Sequence, residues 1–169
     1  MPTATYEKIA TSTLGGAAAT ISFTSITGTY TDLVLVGTGL VSSNSFGVWL
    51  QINGDTGTNY SWTDLAGNGT AASSSRQSNR TNTENWLGNA SAGWSNTNNN
   101  NLIANIMNYS NSTTYKTVLT RGNNPSGGVE AMVNLWRNTA AITSLTVGVQ
   151  STGTLSSGTT FTLYGIKAA

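Results

Sequence analysis

Cysteine and histidine are both absent from this chain of 169 residues. Without cysteine there is no disulfide, no thiolate nucleophile and no zinc-thiolate site. Without histidine the usual general base, the commonest metal ligand and the usual pH switch are lost together. Charge is scarce as well. Asp, Glu, Lys and Arg make up 8% of the chain, against roughly 25% in an ordinary soluble domain. The net charge is +1 and no basic run or acidic tail occurs, so binding to nucleic acid by phosphate neutralisation is not expected. No stretch reaches the roughly 18 apolar residues of a membrane helix. The N-terminal "MPTATYEKIATSTLGG" has no basic segment followed by an apolar one, so no signal peptide is expected. Synthesis in the cytoplasm is expected, with neither a nucleic acid nor a membrane as partner.

Serine, threonine, asparagine and glycine take the place of charge. They make a surface that is wet but neutral, and a net charge near zero favours association over mutual repulsion. Six Asn-x-Ser/Thr triplets start at Asn59, Asn68, Asn79, Asn89, Asn108 and Asn111. In so polar a chain they arise by chance, and without a secretion signal glycosylation is not expected. The length suits one domain that buries roughly 70% of its unfolded surface.

Helical periodicity is almost nowhere, whereas period-2 alternation recurs between clusters of Gly, Asn and Ser. Strands are predicted at 5–14, 20–26, 31–41, 46–52 and 59–65. Five more are predicted at 101–109, 114–121, 128–137, 141–149 and 159–166. The segment "TDLVLVGTGLV" (31–41) is nearly continuous in apolar character, as a strand buried on both faces would be. "FGVWLQI" alternates, with Phe46, Val48, Leu50 and Ile52 on one side, and Asn53-Gly54 after it is a strong hairpin cue. Ten such segments in this length predict an all-β fold, an antiparallel two-sheet sandwich of jelly-roll type, in a single domain over residues 1–169.

Residues 66–101, "AGNGTAASSSRQSNRTNTENWLGNASAGWSNTNNNN", are nearly devoid of aliphatics and predict one long loop leaving the sandwich. Trp86 and Trp94 stand in it. A surface excursion pinned to the sheets by these rings is the simpler reading. The sharper one makes Trp86 and Trp94 contact residues for a partner surface, since Trp offers large area at low entropic cost.

Catalytic parts are few. The carboxylates are Glu7, Asp32, Asp55, Asp64, Glu84 and Glu130, and a glycosidase needs two held roughly 5–10 Å apart. Asp55 and Asp64 lie nine residues apart across a strand that rises roughly 3.3 Å per residue, which is too far. Asp32 at a strand start and Glu130 on a strand face are expected to be solvated. "NGDTGTN" (53–59) offers oxygen ligands for calcium, but one carboxylate gives little affinity and a plain turn accounts for it. No enzyme, cofactor or metal site is expected. Aromatic residues such as Trp49 and Trp136 could stack on sugars in a carbohydrate-binding module; core or interface is the favoured reading for both.

Exposed sheet edges are normally guarded by Lys, Pro or inward charge. Here the lysines are Lys8, Lys116 and Lys167 and the prolines Pro2 and Pro125. The last strand, "TTFTLYGI", is apolar on both faces, with Phe161 and Leu163 on one and Tyr164 and Ile166 on the other. Both features predict a homo-oligomer, a trimer in preference, in which neighbours cover what one copy leaves open.

"YEKIATSTLGGAAATISFTSITGTYTDLVLVGTG" at the N-terminus, "INGDTGTNYSW" in the middle and "LWRNTAAITSLTV…GTLSSGTTFTLYGIKAA" at the end resemble small virion structural proteins of tailed bacteriophages. The resemblance leaves out 66–101. It implies a capsid decoration or cement protein, a head-fibre protein or a tail-fibre protein. No shaft repeat or heptad appears, which favours a capsid decoration protein on the outer surface of the virion, bound to the major capsid protein. A tail or fibre component that contacts the host is the alternative, and a carbohydrate-binding module unconnected with a virion a further one.

Overall fold

In a computed structural model the chain is described over residues 5–42, 47–85 and 93–167, with the side chains of Glu84 and Asn85 left aside. The protein is all-β. Twelve strands occur among the described residues, with no helix: β1 (Tyr6–Thr13), β2 (Thr20–Phe23), β3 (Asp32–Gly39), β4 (Val48–Ile52), β5 (Tyr60–Gly67), β6 (Ala72–Arg80), β7 (Thr83–Asn85), β8 (Asn100–Ile106), β9 (Lys116–Asn124), β10 (Gly128–Trp136), β11 (Leu145–Val149) and β12 (Thr160–Ile166). They form two antiparallel sheets. One has eight strands in the order β1-β12-β3-β8-β9-β10-β5-β6, and the other four in the order β2-β11-β4-β7.

Both sheets contribute to one core. Leu33 and Leu35 of β3, Ala104 and Ile106 of β8, and Phe161 and Leu163 of β12 join Ile21, Leu50, Ile52, Leu145 and Val147 of the smaller sheet in one buried cluster. Each such side chain contributes roughly 1.5–3 kcal/mol by leaving water. The period-2 patterns put them there: β4 alternates buried and half-buried, and in β8 every second residue from Asn100 to Ile106 is buried. In β3 the run Leu33-Val34-Leu35 is buried on both faces, and alternation resumes from Val36.

The expected loop at 66–101 is corrected. Residues 72–80 form β6, paired with β5 from Gly67↔Ala72 to Tyr60↔Arg80, and residues 83–85 form β7 against β4. "ASSSRQSNR" carries no apolar alternation because β6 is the outermost strand, exposed along nearly all its length. Its order comes from backbone pairing, not from side-chain burial. The Asn53-Gly54 cue is corrected in part. Both residues have positive φ (52° and 65°) and Asp55 N donates to Ile52 O at 2.9 Å, so the turn is tight. Yet β4 and β5 lie in different sheets. The turn is followed by a short loop that carries the chain across.

Edge protection also differs from expectation. Lys116 guards no edge: β9 is internal and Lys116 is fully buried, its Nζ donating to Thr114 O (2.7 Å) and Thr139 O (3.0 Å). The outer strand β6 carries Arg76 and Arg80 instead, and β1 has Glu7, Lys8 and a register shift between Lys8 and Ala10. The last strand, β12, is internal too, between β1 and β3. Its second face is half-covered within the chain, where Tyr164 meets Tyr6 edge-on at 6.3 Å.

Candidate docking surface

Trp94 lies in the core. It is 1% exposed, and its ring stacks on Phe161 with centroids 5.9 Å apart and planes within 4°. Its neighbours are tied down as well: Ser95 N donates to Asn100 Oδ1 (2.8 Å) and Asn124 Nδ2 to Gly93 O (2.5 Å). The contact role expected for Trp94 is therefore corrected to a packing role, because a ring with no accessible face cannot meet a partner. Trp86 falls outside the described residues. Trp136 is also core, stacked on Tyr60 and donating from Nε1 to Asp55 Oδ2 at 2.7 Å. Trp49 is the one described tryptophan that is not buried, and its ring lies over Gly148, where a Cβ would come within 2.2 Å of it.

Asp55 and Asp64 are tied into the fold by hydrogen bonds. Asp55 accepts hydrogen bonds from Gly57 N (2.8 Å), Asn59 Nδ2 (2.9 Å) and Trp136 Nε1. Burial alone would push its pKa up, but these donors and Asn138 outweigh it and hold the carboxyl below its ordinary range. Asp64 accepts from Ser75 N (2.9 Å) and Ser75 Oγ (2.5 Å). Glu130, expected to be solvated, is 7% exposed and shares the inward face with Asp64, which is 1% exposed. The two are diagonal neighbours across β5 and β10, since Met132 pairs with Asp64 and Glu130 with Ala66. Neither is open to a substrate. Among the described residues no group of three or more His, Cys, Asp or Glu gathers as a metal site would require.

What stands open is the outward face of the eight-stranded sheet. Six large aliphatic side chains are exposed there: Val36, Leu65, Met107, Leu119, Val129 and Val133. Leu65, Val129 and Val133 are 64%, 62% and 51% exposed. The register lines such residues up across strands. Val36 faces Ile103, Ile103 faces Arg121, Arg121 faces Ala131 and Ala131 faces Leu65, one row across five strands. The next row runs Asn105, Leu119, Val133, Thr63, Arg76. At roughly 4.8 Å per strand the five-strand row spans about 19 Å. Two adjoining hollows of about 850 and 670 Å3 lie along these rows, with Leu65, Arg121 and Ala131 lining both. A third, of about 730 Å3, lies beyond Val133 among Ser61, Thr63, Arg76, Leu135 and Arg137.

This surface was missed in reading the sequence. Its signal was present in "GVEAMVNLWR", where Val129, Ala131 and Val133 alternate with Met132 and Trp136. A strand apolar on both sides needs two covers, and the protein supplies one.

No family model, no curated protein and no solved structure matches this chain.

Proposed function

We propose that this protein is a non-enzymatic virion structural protein, a capsid decoration protein that docks on the outer shell through the open face of its larger sheet. The exposed aliphatic rows on β3, β8, β9, β10 and β5 carry the reading. Isolated soluble proteins rarely expose contiguous apolar patches beyond a few hundred Å2, and larger ones mark interaction sites. The bacteriophage resemblance of the N-terminal, middle and C-terminal segments supplies the kind of particle.

Strand order supports a jelly-roll reading of the fold. The β1-β12-β3-β8 half of the large sheet and the β2-β11-β4-β7 sheet follow the interleaved order of an eight-stranded jelly roll. Two hairpin-like pairs, β5-β6 and β9-β10, are then insertions that widen one sheet by four strands. Jelly rolls recur in viral capsid and lectin domains. The widened half holds most of the open apolar face, so the additions to the plain fold are what create the surface.

The face favours a protein partner over a glycan. The large apolar side chains that line its two central hollows are aliphatic, whereas sugar recognition uses flat aromatic platforms, and the exposed Tyr6 stands on the end strand β1. Trp49, the described tryptophan left partly open, lies on the other sheet. A tail or fibre component binding host sugars is thus the less supported reading. Assembly of three copies is part of the proposal, resting on the near-neutral surface and on two strands, β1 and β6, that end the large sheet.

Copy number tests the placement. Quantitative mass spectrometry of purified particles of the encoding phage should find hundreds of copies per particle. A few tens would move the protein to the tail, and absence from the particle would refute a virion role. Light scattering at micromolar concentration should give the mass of a trimer; a strict monomer would refute the assembly.

A further inference from the structure

We propose that the open face of the large sheet takes an apolar segment of a different protein that carries a carboxylate, and that Arg121 is the residue that reads it. The identity of that protein as a shell subunit rests on the virion reading; the chemistry of the segment does not.

Arg121 is at the centre of the apolar row, with Ile103 on one side and Ala131 on the other, and it lines both hollows. Its one hydrogen bond is a long contact from Nη2 to Asn105 Oδ1 at 3.3 Å, and it has no carboxylate partner among the described residues. Any partner that covers Val36, Leu65 and Val133 must also take this guanidinium out of water. A buried, unpaired charge is costly, whereas a guanidinium–carboxylate pair with two parallel hydrogen bonds is favourable and directional. The occupant therefore has to bring an anion to the middle of its apolar stretch.

A second copy of this chain fits poorly. The three hollows contain Arg76, Arg121 and Arg137 against two carboxylates, Asp32 and Glu130, and Glu130 is 7% exposed on the inward face of β10. Asp32 Oδ1 already accepts from Asn108 N at 2.6 Å. Two such faces pressed together would oppose like charges across an apolar contact, which works against pairing. A partner segment with Glu or Asp between Leu, Ile, Val or Phe residues matches both the rows and the charge.

The test needs no virion. A displayed library of random twelve-residue peptides is selected on the wild-type protein, with a Leu65→Asp variant used to remove peptides that bind elsewhere. The expected peptides carry an acidic residue flanked by large apolar ones. The synthetic consensus peptide should bind Arg121→Glu at least tenfold more weakly than wild type, and changing its acidic residue to Lys should restore binding to Arg121→Glu. Arg121 is exposed, so its replacement leaves the fold in place, as circular dichroism would verify. Selection of peptides without acidic residues, of no peptides, or of peptides indifferent to Arg121→Glu would overturn the proposal. So would light scattering in which the wild type assembles and Leu65→Asp does not, since the face would then belong to a second copy. A virion role that fails on copy number would leave these peptide results standing.

Discussion

Replacing Trp94 by Ala should destabilise the fold by about 4 kcal/mol. A buried indole hides roughly 150–250 Å2, which at about 25 cal/mol per Å2 gives about 4–6 kcal/mol as an upper bound. Measured truncations of buried Phe and Trp cost about 3–5 kcal/mol, including the cavity left behind. The ring is 1% exposed and lies flat on Phe161. Phe161 in turn lies against Gly37, where a Cβ would sit 2.2 Å from the ring. The stack is thus three layers deep, from backbone to phenyl to indole. Hydrogen bonds at Gly93 and Ser95 keep the segment from closing the gap, so the cavity should persist. Urea unfolding followed by circular dichroism measures the loss, and the melting temperature should fall by about 8–16 °C at about 2–4 °C per kcal/mol. Trp94→Phe retains a stacked ring and should cost only about 1–2 kcal/mol. A loss below about 1 kcal/mol for Trp94→Ala would mean that the ring lies outside the core and would return it to the contact role read from the sequence.

Gly37→Ala should cost about 1–3 kcal/mol, because the new methyl collides with the Phe161 ring on a well-packed face; an unchanged urea midpoint would show that the ring can move aside. Asp55 has a folded pKa below its ordinary value near 3.8, so its stabilising effect is fully present above that value and is lost as pH falls through the folded pKa. The urea midpoint of Asp55→Asn should therefore lie below wild type at pH 7 and approach it near pH 2, and a gap that widens on acidification would refute the hydrogen-bond account. Burial lowers the pKa of Lys116 from 10.5, so the wild type should gain stability relative to Lys116→Met as pH rises toward 10.5 and lose that gain as pH falls. A parallel pH dependence of the two proteins would show that the ammonium is solvated.

Strands that face the core on one side announced themselves in the sequence. "VWLQI" and "NLIANI" alternate because every second residue is excluded from water, and both were placed within two or three residues of their observed ends. β6 was invisible for the converse reason. Ser73, Ser74, Ser75, Arg76 and Gln77 bury almost nothing, so no periodicity records the strand, and its side-chain ties from Ser75 to Asp64 and from Asn79 to Arg137 span 11 and 58 residues. Trp94 was misread on the same grounds: an aromatic ring set among Gly, Ser and Asn looks exposed, while its partner Phe161 lies 67 positions further on. The Asn53-Gly54 turn was legible as a local event, but which sheet the next strand joins is decided by long-range pairing. Arg121 stood unnoticed because its meaning depends on Ile103 and Ala131 beside it, and neither is a neighbour in sequence.

Composition makes the open face more than a by-product of a large sheet. Other strands turn polar groups outward: Thr160 and Thr162 on β12, Ser22 on β2, Thr146 and Gln51 on the smaller sheet. Many of these hydroxyls pair across strands, as Thr11 does with Thr162 (3.0 Å), Thr13 with Thr160 (2.8 Å) and Ser22 with Thr146 (2.9 Å). Such pairs stabilise a sheet without charge, at roughly 0.2–1 kcal/mol each. Threonine would have served equally well at Leu65, Val129 and Val133, where the backbone is in the same extended state and the side chain is in water. Aliphatic residues at those three places gain nothing for the isolated chain and add a hazard of aggregation. They are accounted for only if something covers them, and with Arg121 among them, whatever covers them must carry the opposite charge.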